Sequence, residues 1–359
     1  MSPVRILVDS LADEGLPNAQ MSNAREIIRR LDPDKFWVST FCSGTPDPHI
    51  VARPNTEVIR LPASRQTPKI LKQFLLGRHE ILFYLKSAPA SVMYMGMRQA
   101  VRDRKITIGT VESQCNLNCE RTISKKTIRM WERTVLHCDY LFSNSSKVRD
   151  SLAGEYGLPS GIVPTGVDTD FFSPLERAAN VRIRILFVGS LREFKQPQLL
   201  LDAALRFPSA DFELAGDGTM CRELQNRIER ENIGNAMLTG PQTAEQLRER
   251  YRRADIFLFP SQWEGSPKVI LEAAACGLPV IARSDYRPES VLDGTTGFLV
   301  ERDEDLFARL GELISNASLR REFGDAGRVH SQKFDWNPIT RQWEEIFLHL
   351  LDRNGRPHA

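Results

Sequence analysis

The strongest constraint on the fold is a pattern that runs through the chain twice. In the first half, short runs rich in β-branched and aromatic residues occupy 4–9, 36–42, 56–61, 80–85, 105–111 and 138–145. Helix-patterned stretches such as NAREIIRRL and TPKILKQFLLG lie between several of them. The second half begins again with runs at 182–189, 211–216, 236–240, 254–260, 278–283 and 296–300, separated by LLLDAAL, LQNRIERE, AEQLRERYRRA and KVILEAAACG. Runs this short and this uniformly apolar suit strands covered on both faces, and alternation with helices makes the sheet parallel. The expected class is α/β, with two Rossmann-like, doubly wound domains whose strand C-terminal ends face each other across a cleft.

A chain of 359 residues is long enough for two such cores. The segment 161–183 carries Pro164, Gly166 and Pro174 and then turns polar, which marks a linker. The expected domains are 1–172 and 173–335. From Trp336 to Leu351, Ile339, Trp343, Ile346, Phe347 and Leu350 recur at helical spacing and predict a terminal helix within 336–359. Gly277 stands just past a helix pattern, where a left-handed residue is favoured.

A formal net charge of +2 gives no whole-chain argument for nucleic acid. No run of eighteen apolar residues predicts a spanning helix, and the first residues lack the form of a secretory signal, so a cytoplasmic address is expected. The six cysteines are scattered and are expected to be reduced. Cys115 and Cys119 are close together, but no second Cys or His pair accompanies them, and no metal site is expected.

The chemistry concentrates in FPSQWEGSPKVILEAAACGLPVIA, 259–282. A strand ends at Pro260 and a helix is expected to start near Ser266–Lys268. Its first amides have no partners within the helix and sit at the positive end of its dipole, which makes an anion site. Gly265 allows close approach to the backbone, and Pro267 suits a first helical turn. Glu264 and Glu272 flank this start. Eight residues of continuous helix would separate them by about 12 Å, the reach of a sugar, a diphosphate and a ribose in a row. One carboxylate would bind sugar hydroxyls, the amides the diphosphate, and the other carboxylate the ribose diol. The bland alternative is two solvated glutamates around an ordinary helix start.

These residues resemble the family-four retaining glycosyltransferases of the GT-B fold, which carry an E-x(7)-E motif. The resemblance also rests on ILFVGSLREFKQPQLLLDA (185–203), ELAGDG (213–218), LTG followed by LRERYRRADIFLFPS, ESVLDGTTGFLV (289–300) and, at the hinge, VPTGVDTDFFSP (163–174). It covers nearly all of the C-terminal half and the N-terminal half more weakly. It implies an N-terminal acceptor-binding domain, a C-terminal donor-binding domain and a terminal helix packing back toward the former. It further implies that Lys195 contacts the donor diphosphate. Where the family usually has Arg after Gly189, this chain has Ser190, with Arg192 two residues on as the candidate replacement; the family's Gly after the Lys is Gln196 here. The implied catalytic set is Lys195, Glu264 and Arg192. The implied donor-binding set is Gly189, Ser190, Gly216, Gly218, Gly240, Gly265, Ser266, Pro267, Lys268, Val269 and Glu272. Gly216 and Gly218 are also explained by turn chemistry alone, and Lys268 by a solvated first turn.

In the N-terminal half, the first loop contains only Gly15 where the family is often glycine-rich. After the run 105–111 many members have a His that contacts the donor sugar; this chain has Glu112. Gly15 and Glu112 are the candidates for acceptor or sugar binding, with a helix-capping or surface role the other reading of Glu112. His137 reads as a partly buried packing residue. Basic residues crowd the stretch from Arg60 to Lys105 and recur from Arg121 to Arg133 among Ile123, Ile128, Met130 and Trp131. That pattern fits either a solvated face or peripheral contact with an anionic membrane surface or acceptor, on the inner face of the membrane.

The implied reaction is transfer of a sugar, with retention, from a nucleotide-diphosphate donor to a glycan, lipid-linked or small-molecule hydroxyl acceptor, in cell-surface glycan or glycoconjugate synthesis. A UDP-sugar is favoured on its prevalence in the family. No cofactor or metal is expected, because Lys195, Arg192 and helix amides would carry the charge-stabilising role. Two other readings share the fold: a catalytically degenerate nucleotide-sugar-binding subunit, and a sugar-nucleotide epimerase. A nicotinamide enzyme is disfavoured, since no G-x-G-x-x-G follows the first strand of either half.

Overall fold

The computed structural model describes residues 2–14, 19–62, 66–84, 105–113, 135–176 and 178–353. These form two compact units, Met1–Pro164 with Trp336–Ala359, and Thr165–Asp335.

The N-terminal unit is built on a seven-stranded sheet of order β3-β2-β1-β4-β5-β6-β7, with every pair parallel. Its strands are β1 (Val4–Leu11), β2 (Phe36–Cys42), β3 (Thr56–Arg60), β4 (Ile81–Phe83), β5 (Ile106–Val111), β6 (Tyr140–Ser143) and β7 (Gly161–Ile162). The described helices between them are α1 (Ala19–Arg30), α2 (Pro48–Ala52), α3 (Gln66–Leu76) and α4 (Ser146–Tyr156). All six residues of β5 are buried, as a strand covered on both faces requires. The terminal helix Trp336–Arg353 belongs to this unit because its apolar stripe enters the same core. Trp343 meets Phe83 at 4.7 Å and Phe142 at 5.0 Å between ring centroids, and Phe347 meets Phe36 at 6.0 Å.

The C-terminal unit has a six-stranded parallel sheet of order β10-β9-β8-β11-β12-β13. It runs β8 (Arg184–Val188), α5 (Gln198–Arg206), β9 (Asp211–Ala215), α6 (Cys221–Arg230), β10 (Ala236–Gly240), α7 (Ala244–Arg253), β11 (Ile256–Phe259), α8 (Lys268–Ala275), β12 (Val280–Arg283), β13 (Gly297–Val300), α9 (Asp303–Ser315) and α10 (Ala317–Ser331). α7 starts with a capping box between Thr243 and Gln246, and Gly277, just beyond α8, is left-handed at φ 78°.

The expected strands are present, and β7 is an addition inside the segment read as linker. The units divide at Pro164, not at residue 172. Val167 and Phe172 are buried in the C-terminal core. The Thr169 hydroxyl donates to Asp335 Oδ2 at 2.7 Å, and Val167 N–H donates to the Phe334 carbonyl at 2.8 Å. These contacts anchor 165–172 to the C-terminal unit. Among the described residues no helix is long and apolar enough to cross a membrane. Cys115, Cys119 and the basic stretch 121–133 lie outside the described residues. His137 ends a short 3₁₀ turn and is exposed, which corrects its expected partial burial.

Candidate functional site

In the C-terminal sheet the chain leaves β8 toward β9 and β10, then returns to the other side of β8 as β11. That reversal is a topological switch point, the place at the C-terminal edge of the strands where open α/β sheets bind ligands. Lys195 comes from the loop after β8 and Glu264 from the loop after β11. The two side chains form an ion pair, and each is largely buried, at 14% and 12% exposure. A backbone bond from Gln262 N–H to the Phe194 carbonyl, 3.0 Å, ties the loops together. The buried Ser261 hydroxyl donates to the same Glu264 Oε1 at 2.6 Å. The Lys195 ammonium also lies 5.0 Å from the Phe259 ring centroid and 5.5 Å from that of Phe194, so its position is fixed by charge and by aromatic faces. Tyr286 is buried nearby; burial and the Glu264 charge hold its phenol well above the usual range.

α8 begins at Lys268 with Pro267 as its cap residue. Ser261 to Pro267 therefore form a loop, and half of the eight steps from Glu264 to Glu272 are not helical. The spacing of a continuous helix therefore does not apply, and the helix starts within the expected span Ser266–Lys268. Pro267 is buried, whereas Gly265, Ser266, Lys268, Val269 and Glu272 are partly exposed around the helix start. Glu272 faces α7, where the hydroxyl of the buried Tyr251 donates to its Oε2 at 2.9 Å. Burial pushes the Glu272 carboxyl up, against the pull of the Lys268 charge and the Tyr251 bond.

The glycines of this edge have a packing reason that sequence did not reveal. Gly216 sits at φ 142°, and a Cβ there would lie 1.9 Å from the Gly189 carbonyl oxygen. A Cβ on Gly218 would lie 2.3 Å from the Leu191 carbonyl oxygen. The loops after β8 and β9 run against each other, with Leu191 N–H bonded to the Asp217 carbonyl at 2.9 Å. Gly240, left-handed at φ 71°, accepts from Gly216 N–H at 2.9 Å. Ser190 is half-buried and Arg192 is exposed, just before the 3₁₀ turn Glu193–Lys195.

Glu112 belongs to the N-terminal unit, directly after β5. Its Oε1 accepts from the Tyr84 hydroxyl at 2.8 Å and its Oε2 from Asn23 Nδ2 at 3.1 Å, while its carbonyl accepts from Asn144 Nδ2 at 3.2 Å. It is thus a partly buried hub at the C-terminal edge of the N-terminal sheet. Tyr84 is buried and left-handed, at φ 62°. Gly15 lies outside the described residues. Sequence reasoning did not single out Ser261, Tyr251, Tyr84 or Asn23. Ser261 lay inside the informative segment, but nothing marked it as the partner of Glu264.

Residues 170–330 match the family model described as Glycosyl transferases group 1. The chain is 34% identical over 233 residues to a D-inositol 3-phosphate glycosyltransferase of Geodermatophilus obscurus, covering 57% of this chain and 51% of the relative. It spans about half the length of the relatives it matches first. Its fold is that of sucrose-phosphate synthase from Thermosynechococcus elongatus, with a TM-score of 0.80 at 19% identity over 98% of this chain and 100% of that one. An Anabaena protein, HepE, solved in complex with UDP-glucose, matches with a TM-score of 0.76 at 17% identity over 96% and 99% of the two chains. The two parallel-sheet units are those of a GT-B protein.

Proposed function

We propose that this chain, which carries a group 1 glycosyl transferase domain over residues 170–330, transfers a sugar with retention from a nucleotide-diphosphate donor to a hydroxyl acceptor. The observation that carries this reading is the Lys195–Glu264 pair at the switch point of the C-terminal sheet, beside the start of α8. In this reading the donor diphosphate lies against Lys195 and the first amides of α8, which stabilise the charge that develops as the sugar–phosphate bond breaks. Arg192, exposed on the same loop, closes on the diphosphate from solvent. Glu264, steadied by Ser261, accepts from sugar hydroxyls. Glu272 accepts from the ribose diol through Oε1, since Tyr251 occupies Oε2. The departing phosphate oxygen takes the acceptor proton on the same face of the sugar, and no metal is required.

The relative solved with UDP-glucose supports a UDP-sugar as donor. The inositol phosphate transferase relative supports a polyol or glycan hydroxyl as acceptor, and Glu112 with Tyr84 and Asn23 is the group in the N-terminal unit suited to bind hydroxyls. A role in glycan or glycoconjugate synthesis follows from that chemistry.

The test incubates the purified protein with UDP-, GDP- and ADP-sugars and follows nucleoside diphosphate release. Release from one donor, lost in Lys195→Ala and Glu272→Ala, is the expected result and names the base. Binding of a donor without release would favour the non-catalytic subunit, for which the absence of Arg at Ser190 is the specific support. Neither binding nor release across the panel would overturn the site.

A further inference from the structure

Gln196 stands immediately after Lys195 and adopts φ 51°, ψ 45°, the left-handed conformation that residues other than glycine rarely take. The turn itself demands that conformation. Lys195 N–H bonds the Arg192 carbonyl at 3.0 Å and Gln196 N–H bonds the Glu193 carbonyl at 3.0 Å, which closes the 3₁₀ turn. The chain then swings into α5, where Leu199 N–H bonds the Gln196 carbonyl at 3.1 Å. Glycine would satisfy such a turn at no steric cost, so a glutamine held there calls for a compensating contact.

That contact comes from Arg283, the last residue of β12. Its Nη2 donates to Gln196 Oε1 at 3.1 Å. Arg283 is only 3% exposed. Its Nη1 donates to the Glu301 carbonyl at 2.9 Å, and its Nη2 is also ion-paired with Asp303, the first residue of α9. A guanidinium fixed on both sides, by the Glu301 carbonyl just after β13 and by Asp303 of α9, is a rigid post, and Gln196 is the one side chain through which it reaches the loop of Lys195 among the described bonds. Lys195 in turn is pinned at its other end by Glu264 and Phe259.

We propose that Gln196 is a positioning residue. Held by Arg283, it sets the backbone from which Lys195 reaches the donor diphosphate, and it does so in place of the conformational freedom a glycine would supply. The proposal rests on the reading of Lys195 given above.

The test measures UDP affinity by calorimetry and thermal unfolding for the full chain and for Gln196→Gly, Arg283→Met, Lys195→Ala and the Gln196→Gly/Lys195→Ala double variant. Gln196→Gly relieves the left-handed strain, so its melting temperature should equal or exceed the parent's while UDP binding weakens roughly three- to tenfold. In the Lys195→Ala background the same change should have no further effect on affinity, because the residue acts through Lys195. Gln196→Gly binding UDP as tightly as the parent, or weakening it equally in both backgrounds, overturns the proposal while leaving the donor site standing. Lys195→Ala binding UDP like the parent overturns the reading of Lys195 and the proposal with it. Arg283→Met should reproduce the affinity loss, and since it also removes a buried ion pair, Gln196→Gly decides if Arg283→Met fails to fold.

Discussion

The hydroxyl of Tyr251, on α7, donates to Oε2 of Glu272, on α8, at 2.9 Å, and both groups lie where burial disfavours their charged forms. One neutral donor thereby engages one of the two oxygens of the carboxylate proposed to bind the ribose and holds its orientation.

Tyr251→Phe keeps the ring, which packs edge-on to Phe172 and Phe257 at 5.8 Å and 5.7 Å between centroids, and deletes only the donor. Stability should fall by about 1 kcal/mol, the net value of one such bond. Donor affinity should fall with it, because Glu272 then samples orientations that do not face the ribose. Calorimetry with UDP measures the second effect. Unchanged affinity would mean that Tyr251 serves the core alone.

Gly216→Ala should be among the most damaging single-methyl changes in the C-terminal unit. The added carbon meets a backbone oxygen, which has no rotamer to escape into, and φ 142° is closed to L side chains. A loss of at least about 2 kcal/mol is expected in denaturant unfolding. Gly234→Ala, where a Cβ meets nothing within 4 Å, is the matched control and should change little.

Much of the architecture was legible because its strands are short apolar runs bounded by turn residues, a signal confined to neighbours in sequence. β7 escaped because Gly161–Ile162 is two residues long and lies in a Pro- and Gly-containing stretch. The unit boundary was misplaced because the bonds between Thr169 and Asp335 span 166 positions and leave no local trace. The same division holds at the candidate site. Glu264 and Glu272 stood out through the segment 259–282 that contains them, and Lys195 through the family resemblance of 185–203. Tyr251 did not, because it sits in RERYRRA, where flanking charges suggest a solvated helix although Tyr251 itself is fully buried. The left-handed Tyr84 that holds Glu112 carries no glycine or asparagine to advertise it.

Trp343 tests the place of the terminal helix in the N-terminal core. Its indole is 3% exposed and packs against Phe83, Phe142 and Phe347. Trp343→Ala should cost about 3–5 kcal/mol through lost burial and the cavity left behind. Trp343→Phe should recover most of that loss. An alanine variant that melts with the parent would place the helix outside the cooperative core.

His79 gives the N-terminal unit a pH dependence of defined sign. Its ring is buried, and Nε2 lies 2.9 Å from Ser39 Oγ, whose own hydrogen goes to Glu57 Oε2 at 2.9 Å. Nε2 therefore carries the proton, assigned from this network, and Nδ1 has no partner. A second proton would have to enter at buried Nδ1, close to the Lys105 ammonium, which bonds the His79 carbonyl at 3.1 Å. Burial first, then Lys105 and Arg5, push the imidazole down to about 4 from an ordinary 6.5. Above 6.5 neither the folded nor the unfolded chain protonates this ring, and its neutral packing is fully retained. Between 6.5 and about 4 the unfolded chain takes up a proton that the folded one refuses, so stability falls as pH falls. Unfolding of the parent followed from pH 7 to pH 5 should show a loss that is smaller in His79→Gln, and the imidazole resonances should titrate near 4. Equal slopes in the two proteins, or a ring titrating near 6.5, would mean that His79 is hydrated in solution and that the Ser39–Glu57 network does not hold it neutral.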